Sequence, residues 1–191
     1  MKKALMIALV LGVAVISTAC INNIAVQELN NKAAEFMQKG DYEAAINRLE
    51  SSLDLDSSMY QTYYNLGIAS INAKKYEKAV NAFEGGIKVN PDFADFYYSL
   101  GVAQIELADE IMEPSEEENE TVEAAEQKEE KKKEVSEEDK EKAVKLKTSA
   151  IENLNKFLQM VPDAQSKETI EEMIKQSEEF ISGDEKKETE E

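Results

Sequence analysis

A single thiol, Cys20, and the absence of histidine bound the chemistry open to this sequence. Without imidazole, the commonest general base and metal ligand is missing. Gly85-Gly86 is not followed by Lys-Ser/Thr, so it does not read as a phosphate-cradling loop. Carboxylates are too abundant to single out a catalytic pair, at 40 acids against 22 bases. Glu116-Glu117-Glu118 could hold Ca²⁺ loosely, but EF-hand spacing is absent, and a solvated charge run is the better account. The sequence therefore offers no catalytic residue, no metal site and no cofactor, and it reads as a binding protein, not an enzyme. A net charge of −18 should repel nucleic acid and anionic headgroups and attract basic partners.

Cys20 has a specific setting. Met1-Lys2-Lys3 is basic, and Ala4 to Ile16 is thirteen residues without charge or hydrogen-bonding side chain. Ser17-Thr18-Ala19-Cys20 follows, giving the layout of an export signal over residues 1–19. The apolar run is short for a spanning helix, which needs about 20 residues. Ser17 to Cys20 resembles a bacterial lipobox. That resemblance implies acylation at Cys20, cleavage before it, and a lipidated tether over 20–25. Ser17 stands where that family usually has Leu, so cleavage after Ala19 and an uncleaved anchor stay open. The expected location is the bacterial cell envelope, extracytoplasmic and lipid-anchored, on the periplasmic side or the cell surface.

The elements that would present a binding surface repeat along the chain. Tyr63, Leu66 and Gly67 lie at i, i+3 and i+4, one stripe of a helix. Gly67 costs a helix about 1 kcal/mol against Ala, so a second helix must come close to compensate. Ala79, Phe83 and Gly86 repeat this logic on that second helix. Pro91 stops it, and Asp92 offers a capping oxygen to the next helix. Thirty-four residues earlier, Leu29, Ala33, Phe36, Ala45, Leu49 and Ser52 hold the pattern, with Gly40-Asp41-Tyr42 at the turn. Thirty-four residues later, Tyr97, Leu100 and Gly101 return. This spacing resembles the tetratricopeptide repeat. The resemblance implies an all-α, right-handed α-solenoid of three helix hairpins, with units one, two and the first helix of the third over 26–112.

The third hairpin is split. Residues 113–140 hold thirteen acids and five lysines, too little apolar surface to offset ordering entropy. Ala150, Ile151, Leu154, Phe157, Leu158 and Pro162 then sit at the spacings of the missing second helix, within 141–182. Ser136-Glu137-Glu138-Asp139 reads as its capping start. The acidic insertion is either an arm for a basic partner or a tolerated surface excursion. Lys167 to Ile181 carries Ile170, Met173, Ile174 and Ile181 on one side, as a solenoid's capping helix should. Ser182-Gly183 should end it, leaving residues 183–191 as a disordered acidic tail.

The resemblance also implies where a partner sits, since first helices line a concave groove in that family. Carried onto this chain, the groove offers Gln27, Asn30, Asn31, Ala34, Met37 and Gln38 from the first unit. The second offers Gln61, Tyr64, Asn65, Ile68, Ile71 and Asn72, and the third Asp95, Tyr98, Ser99, Val102, Ile105 and Glu106. Asn30, Asn31, Gln61, Tyr64, Asn65, Ile68, Asn72, Tyr98, Val102 and Ile105 are the chosen binding residues. Amides would satisfy a peptide backbone and tyrosines would supply apolar area with a polar tip. Chaperone-binding members grip a terminal carboxylate with Lys and Arg at such positions, and the groove positions of this chain hold neither. The expected function is an adaptor or assembly factor that takes a peptide or helix of another envelope protein. Self-association as a homo-oligomer, burial of the stripe within the chain, and small-molecule binding are the alternatives.

Overall fold

The computed structural model describes residues 24–113 and 135–188, so Cys20, the export signal and most of the insertion lie outside the described residues. Seven helices and no strand occur among the described residues: α1 (24–38), α2 (Tyr42–Leu55), α3 (Tyr60–Asn72), α4 (Tyr76–Val89), α5 (Asp95–Met112), α6 (Glu137–Met160) and α7 (Lys167–Glu188). No helix among them is long and apolar enough to cross a membrane. The first compact unit ends at Ser99 and holds α1 to α4 with the first turn of α5. The second begins at Leu100 and holds the rest of α5 with α6 and α7.

Within the first unit, the turn between α1 and α2 and the turn between α3 and α4 share one geometry. Gly40 has φ +75°, and Lys74, exactly one repeat later in sequence, has φ 56°. Asp41 N–H donates to Phe36 O at 3.0 Å, and Lys75 N–H donates to Ser70 O at 2.8 Å. These bonds close the preceding helices on carbonyls that would otherwise lack partners, the usual role of a left-handed C-terminal residue. Asp41 then caps α2 by accepting from Ala44 N–H at 3.1 Å.

Glycines set how closely the helices pack. A methyl group on Gly67 would overlap the Phe83 ring, and one on Gly86 would overlap the Phe96 ring. Both rings are fully buried. Each ring thus fills the volume that a side chain on the facing helix would need. In the second unit, a Cβ at Gly101 would lie 2.8 Å from Leu154 Cγ and 3.2 Å from the Ala150 carbonyl oxygen. Gly101 therefore packs against the helix that follows the insertion, at the repeat positions expected from sequence.

The second unit otherwise follows expectation with two adjustments. Ser136 caps α6, its Oγ accepting from Asp139 N–H at 3.1 Å. Residues 137–140, assigned from sequence to the insertion, therefore open this helix. Ile170 is buried and Met173, Ile174 and Ile181 are half-buried, giving α7 its packed face. However, α7 does not stop at Ser182-Gly183; it runs to Glu188, through part of the expected tail. A single glycine costs about 1 kcal/mol, and the Glu and Lys residues beyond it are good helix formers. At the other end, α1 starts at 24, inside the expected tether, and Val26 is fully buried. Asp92 does not cap α5, which starts three residues later at Asp95; its N–H instead donates to Asn90 Oδ1 at 3.3 Å.

Candidate interaction surface

In the first unit the expected groove positions lie on neighbouring helices. Asn30 of α1 meets Thr62 of α3, and Tyr64 of α3 meets Ser99 of α5. Asn31, Gln61 and Asn72 are exposed, while Tyr64, Asn65, Ile68 and Tyr98 are half-buried. Val102 and Ile105 belong to the second unit, where both are half-buried.

Asn30 is not available as expected. Its Nδ2 is in reach of Val26 O (2.9 Å), Ser52 Oγ (2.8 Å) and Thr62 Oγ1 (3.1 Å). Thr62 Oγ1 lies 3.2 Å from Asn30 Oδ1 as well. Ser52 and Thr62 are fully buried, so Asn30 serves their hydroxyls before any ligand. Asn72 Nδ2 donates to Ile68 O within its own helix at 2.8 Å. Among the chosen binding residues, Asn31 and Gln61 present exposed amides, Asn65 a half-buried one, and the exposed Asn72 is tied to its own helix. Ser99, assigned to the groove from sequence, is instead buried beneath Tyr64.

Tyr64 is fixed on several sides. Its ring centroid lies 5.4 Å from Phe93, 5.9 Å from Phe96 and 6.1 Å from Phe83, the first two edge-on. Tyr60 joins the cluster at 5.3 Å from Phe93. Such tilted pairs favour the aromatic quadrupoles and add to area burial. Burial pushes the Tyr64 phenol above its ordinary value of 10.0; a hydrogen bond with Ser99 works against this, and Asp95 and Tyr98 add to the rise. Phe93 and Phe96 were not assigned from sequence. Their signal was present, two aromatics flanking the start of a helix whose preceding unit has Gly86 at the contact.

A buried charge in the second unit also escaped the sequence reading. Lys147 Nζ donates to Asp109 Oδ1 at 2.7 Å and stands 4.9 Å from the Phe180 ring centroid. Nearby, Asn153 Nδ2 donates to the buried Gln104 Oε1 at 2.9 Å. Periodicity places Lys147 on the packed face of α6, but nothing in the pattern signals a partnered lysine there. Among the described residues, no group of three or more His, Cys, Asp or Glu is arranged to hold a metal.

Paired helices, close-packed glycines at positions 67, 86 and 101 and a 34-residue recurrence stand together. Residues 36–109 match the tetratricopeptide repeat family. The chain has the all-α fold of that repeat. The second tetratricopeptide domain of human RPAP3, solved with the HSP70 peptide SGPTIEEVD, is similar at TM-score 0.58 and 15% identity, over 81% of this chain and 98% of that one. The Arabidopsis OM64 domain gives 0.58 and 12%, over 81% and 98%. The TPR2B domain of yeast Sti1, in complex with pHsp70, gives 0.56 and 14%, over 82% and 98%. No curated protein matches the chain by sequence. The repeat match ends at 109, before the acidic stretch that separates α5 from α6.

Proposed function

We propose that this protein is a lipid-anchored, extracytoplasmic interaction module of the bacterial cell envelope that binds an extended peptide or a helix of another protein. The binding surface is the face shared by α1, α3 and the first turn of α5. The observation that carries the reading is the Tyr64 cluster. A tyrosine is held rigid by Phe93, Phe96 and Ser99, yet stays half-buried beside the exposed amide of Gln61. A pre-ordered aromatic with nearby amides favours binding, because little ordering entropy remains to oppose it. The human domain of the same fold was solved with the HSP70 peptide SGPTIEEVD and the yeast domain in complex with pHsp70, which supports a peptide as ligand class. Anchoring through Cys20 rests on its setting behind an apolar run.

Photo-crosslinking in the native host tests the binding reading. A probe replaces Gln61 or Asn31, both exposed and outside the aromatic cluster. The expected result is a crosslink to one distinct envelope protein. Crosslinks solely within the chain, or solely to a second copy, would overturn the adaptor reading. Anchoring is tested separately: Cys20→Ser should abolish fatty-acid labelling and move the protein from the membrane to the soluble fraction. Unchanged labelling would remove the anchor from the proposal.

A further inference from the structure

We infer that the end of the first unit carrying Ile24, Leu55 and Val89 rests on the lipid bilayer, against a zwitterionic leaflet, and so fixes how the protein stands on the membrane. The inference rests on the anchoring at Cys20 proposed above and adds a contact that the anchor alone does not supply.

Among the described residues, the exposed large apolar side chains are Ile24 at 69%, Leu55 at 43% and Val89 at 38%. Scattered singly, they would need no explanation. They are not scattered. Ile24 opens α1, while Leu55 and Val89 are the last residues of α2 and α4, one 34-residue repeat apart. The hairpins bring these points to one end. Asn30 reaches Ser52 near the end of α2 and Thr62 near the start of α3, at 2.8 and 3.1 Å. The ring of Tyr60, which opens α3, lies 5.3 Å from that of Phe93 in the link that follows α4. The opposite end is marked by Lys75 Nζ and Glu43 Oε2, 2.6 Å apart beside the starts of α4 and α2.

The sequence before α1 says what meets the apolar end. Ile21, Asn22 and Asn23 alone separate Cys20 from Ile24. Such a stretch spans at most about 14 Å when fully extended. An acylated Cys20 therefore holds the start of α1 within that distance of the headgroups, and Leu55 and Val89 share its end of the unit. Three apolar side chains bind a bilayer weakly by themselves, because binding scales with the apolar area buried. Tethering makes the contact intramolecular, so a weak contact suffices to orient the unit. Asp54, Asp92 and Asp95 are exposed at the same end beside the exposed Lys88, so anionic headgroups would be repelled and a zwitterionic leaflet fits. In this pose the starts of α1, α3 and α5 lie at the membrane, and the proposed binding face rises away from it.

Spin labelling of the acylated full chain in phosphatidylcholine–phosphatidylethanolamine vesicles provides the test. Acylation occupies the Cys20 sulfur, so the label goes to the cysteine introduced by Ile24→Cys, Leu55→Cys or Val89→Cys, or by Gln38→Cys or Glu77→Cys at the far end, where both side chains are exposed. Fatty-acid mass on Cys20 and circular dichroism are read first on each variant. The expected result is loss of access to an aqueous nickel relaxant, with gain of access to oxygen, at positions 24, 55 and 89, and full aqueous access at 38 and 77. Position 24 lies near the membrane through the tether alone, so 55 and 89 decide. Phosphatidylglycerol in the vesicles should restore part of the aqueous access at 55 and 89, and unchanged shielding would overturn the choice of leaflet. Full aqueous access at 55 and 89 on acylated, vesicle-bound protein would overturn the membrane contact and leave the anchor standing. Shielding at 55 and 89 that persists in the Cys20→Ser chain without vesicles would also overturn it, by giving that end to another segment of the chain or to a second copy. An unacylated Cys20 would overturn the anchor together with the contact that depends on it.

Discussion

Asn30 Nδ2 lies 2.8 Å from Ser52 Oγ, and one repeat later the equivalent pair is Tyr64 and Gly86. Thr62, the third member of the first group, corresponds to Phe96 in the second. One junction of the fold is thus closed by hydroxyls and an amide, and the next by aromatic rings over a glycine. Both fill the same space between a first helix, its partner and the following first helix.

The polar junction should be the more sensitive to loss of one member. Asn30→Ala leaves two buried hydroxyls without their shared amide and should cost about 2 kcal/mol. The triple change Asn30→Tyr, Ser52→Gly and Thr62→Phe imports the aromatic junction whole and should recover most of that loss. Urea denaturation of the full chain measures both. An Asn30→Ala midpoint equal to that of the parent would contradict the role given to the network.

Gly67→Ala should destabilise the chain by about 2 kcal/mol, although Ala is the better helix former by about 1 kcal/mol. The added methyl overlaps the Phe83 ring. Phe83→Leu alone leaves a gap, yet combined with Gly67→Ala it should recover part of the loss. A double-mutant cycle on denaturation midpoints reads the coupling, and strict additivity would show that the two residues do not share the space described.

Lys74 holds a left-handed conformation that costs a residue with a Cβ about 1 kcal/mol. Lys74→Gly relieves it, at some cost in unfolded-chain entropy, and should raise stability by about 0.5 kcal/mol. Gly40→Lys, at the matching turn, should lower stability. Thermal denaturation of the pair provides the check, and opposite signs are the required result.

Tyr64 makes stability depend on alkaline pH. Its proton is held more tightly in the folded chain, chiefly because burial disfavours the phenolate. The associated stability is present below the ordinary value of 10.0 and is lost as pH rises through the higher folded value. Ultraviolet titration should show a late tyrosine ionisation, and Tyr64→Phe should remove that step and flatten the alkaline loss of stability. A late step that survives in Tyr64→Phe would assign it to another tyrosine.

The helix hairpins were legible because a glycine inside an apolar stripe has few explanations besides close approach, and Gly67, Gly86 and Gly101 each met a large side chain where the period required. The split third unit was legible for the same reason, since Gly101 finds Leu154 across the acidic stretch. The fate of Asn30 was not legible. Its position is outward-facing in the repeat pattern, and only the depth of Ser52 and Thr62 turns its amide inward. The continuation of α7 past Gly183 was not legible, because Ser-Gly near a helix end signals a stop, whereas the residues after it favour helix. Lys147 shows a further limit: a lysine on a packed face reads as an error of pattern until Asp109 and Phe180 are seen beside it.

The rings that occupy the empty side-chain sites of Gly67 and Gly86 carry a warning for anyone reshaping this protein. Design by propensity would begin with such glycines, which are among the weakest helix formers in their segments. Each substitution would strengthen one helix in isolation and force two helices apart. The residue that matters at these crossings is the one that has been left out, so a redesign must treat Gly67 with Phe83, and Gly86 with Phe96, as single two-residue letters that are exchanged together or kept.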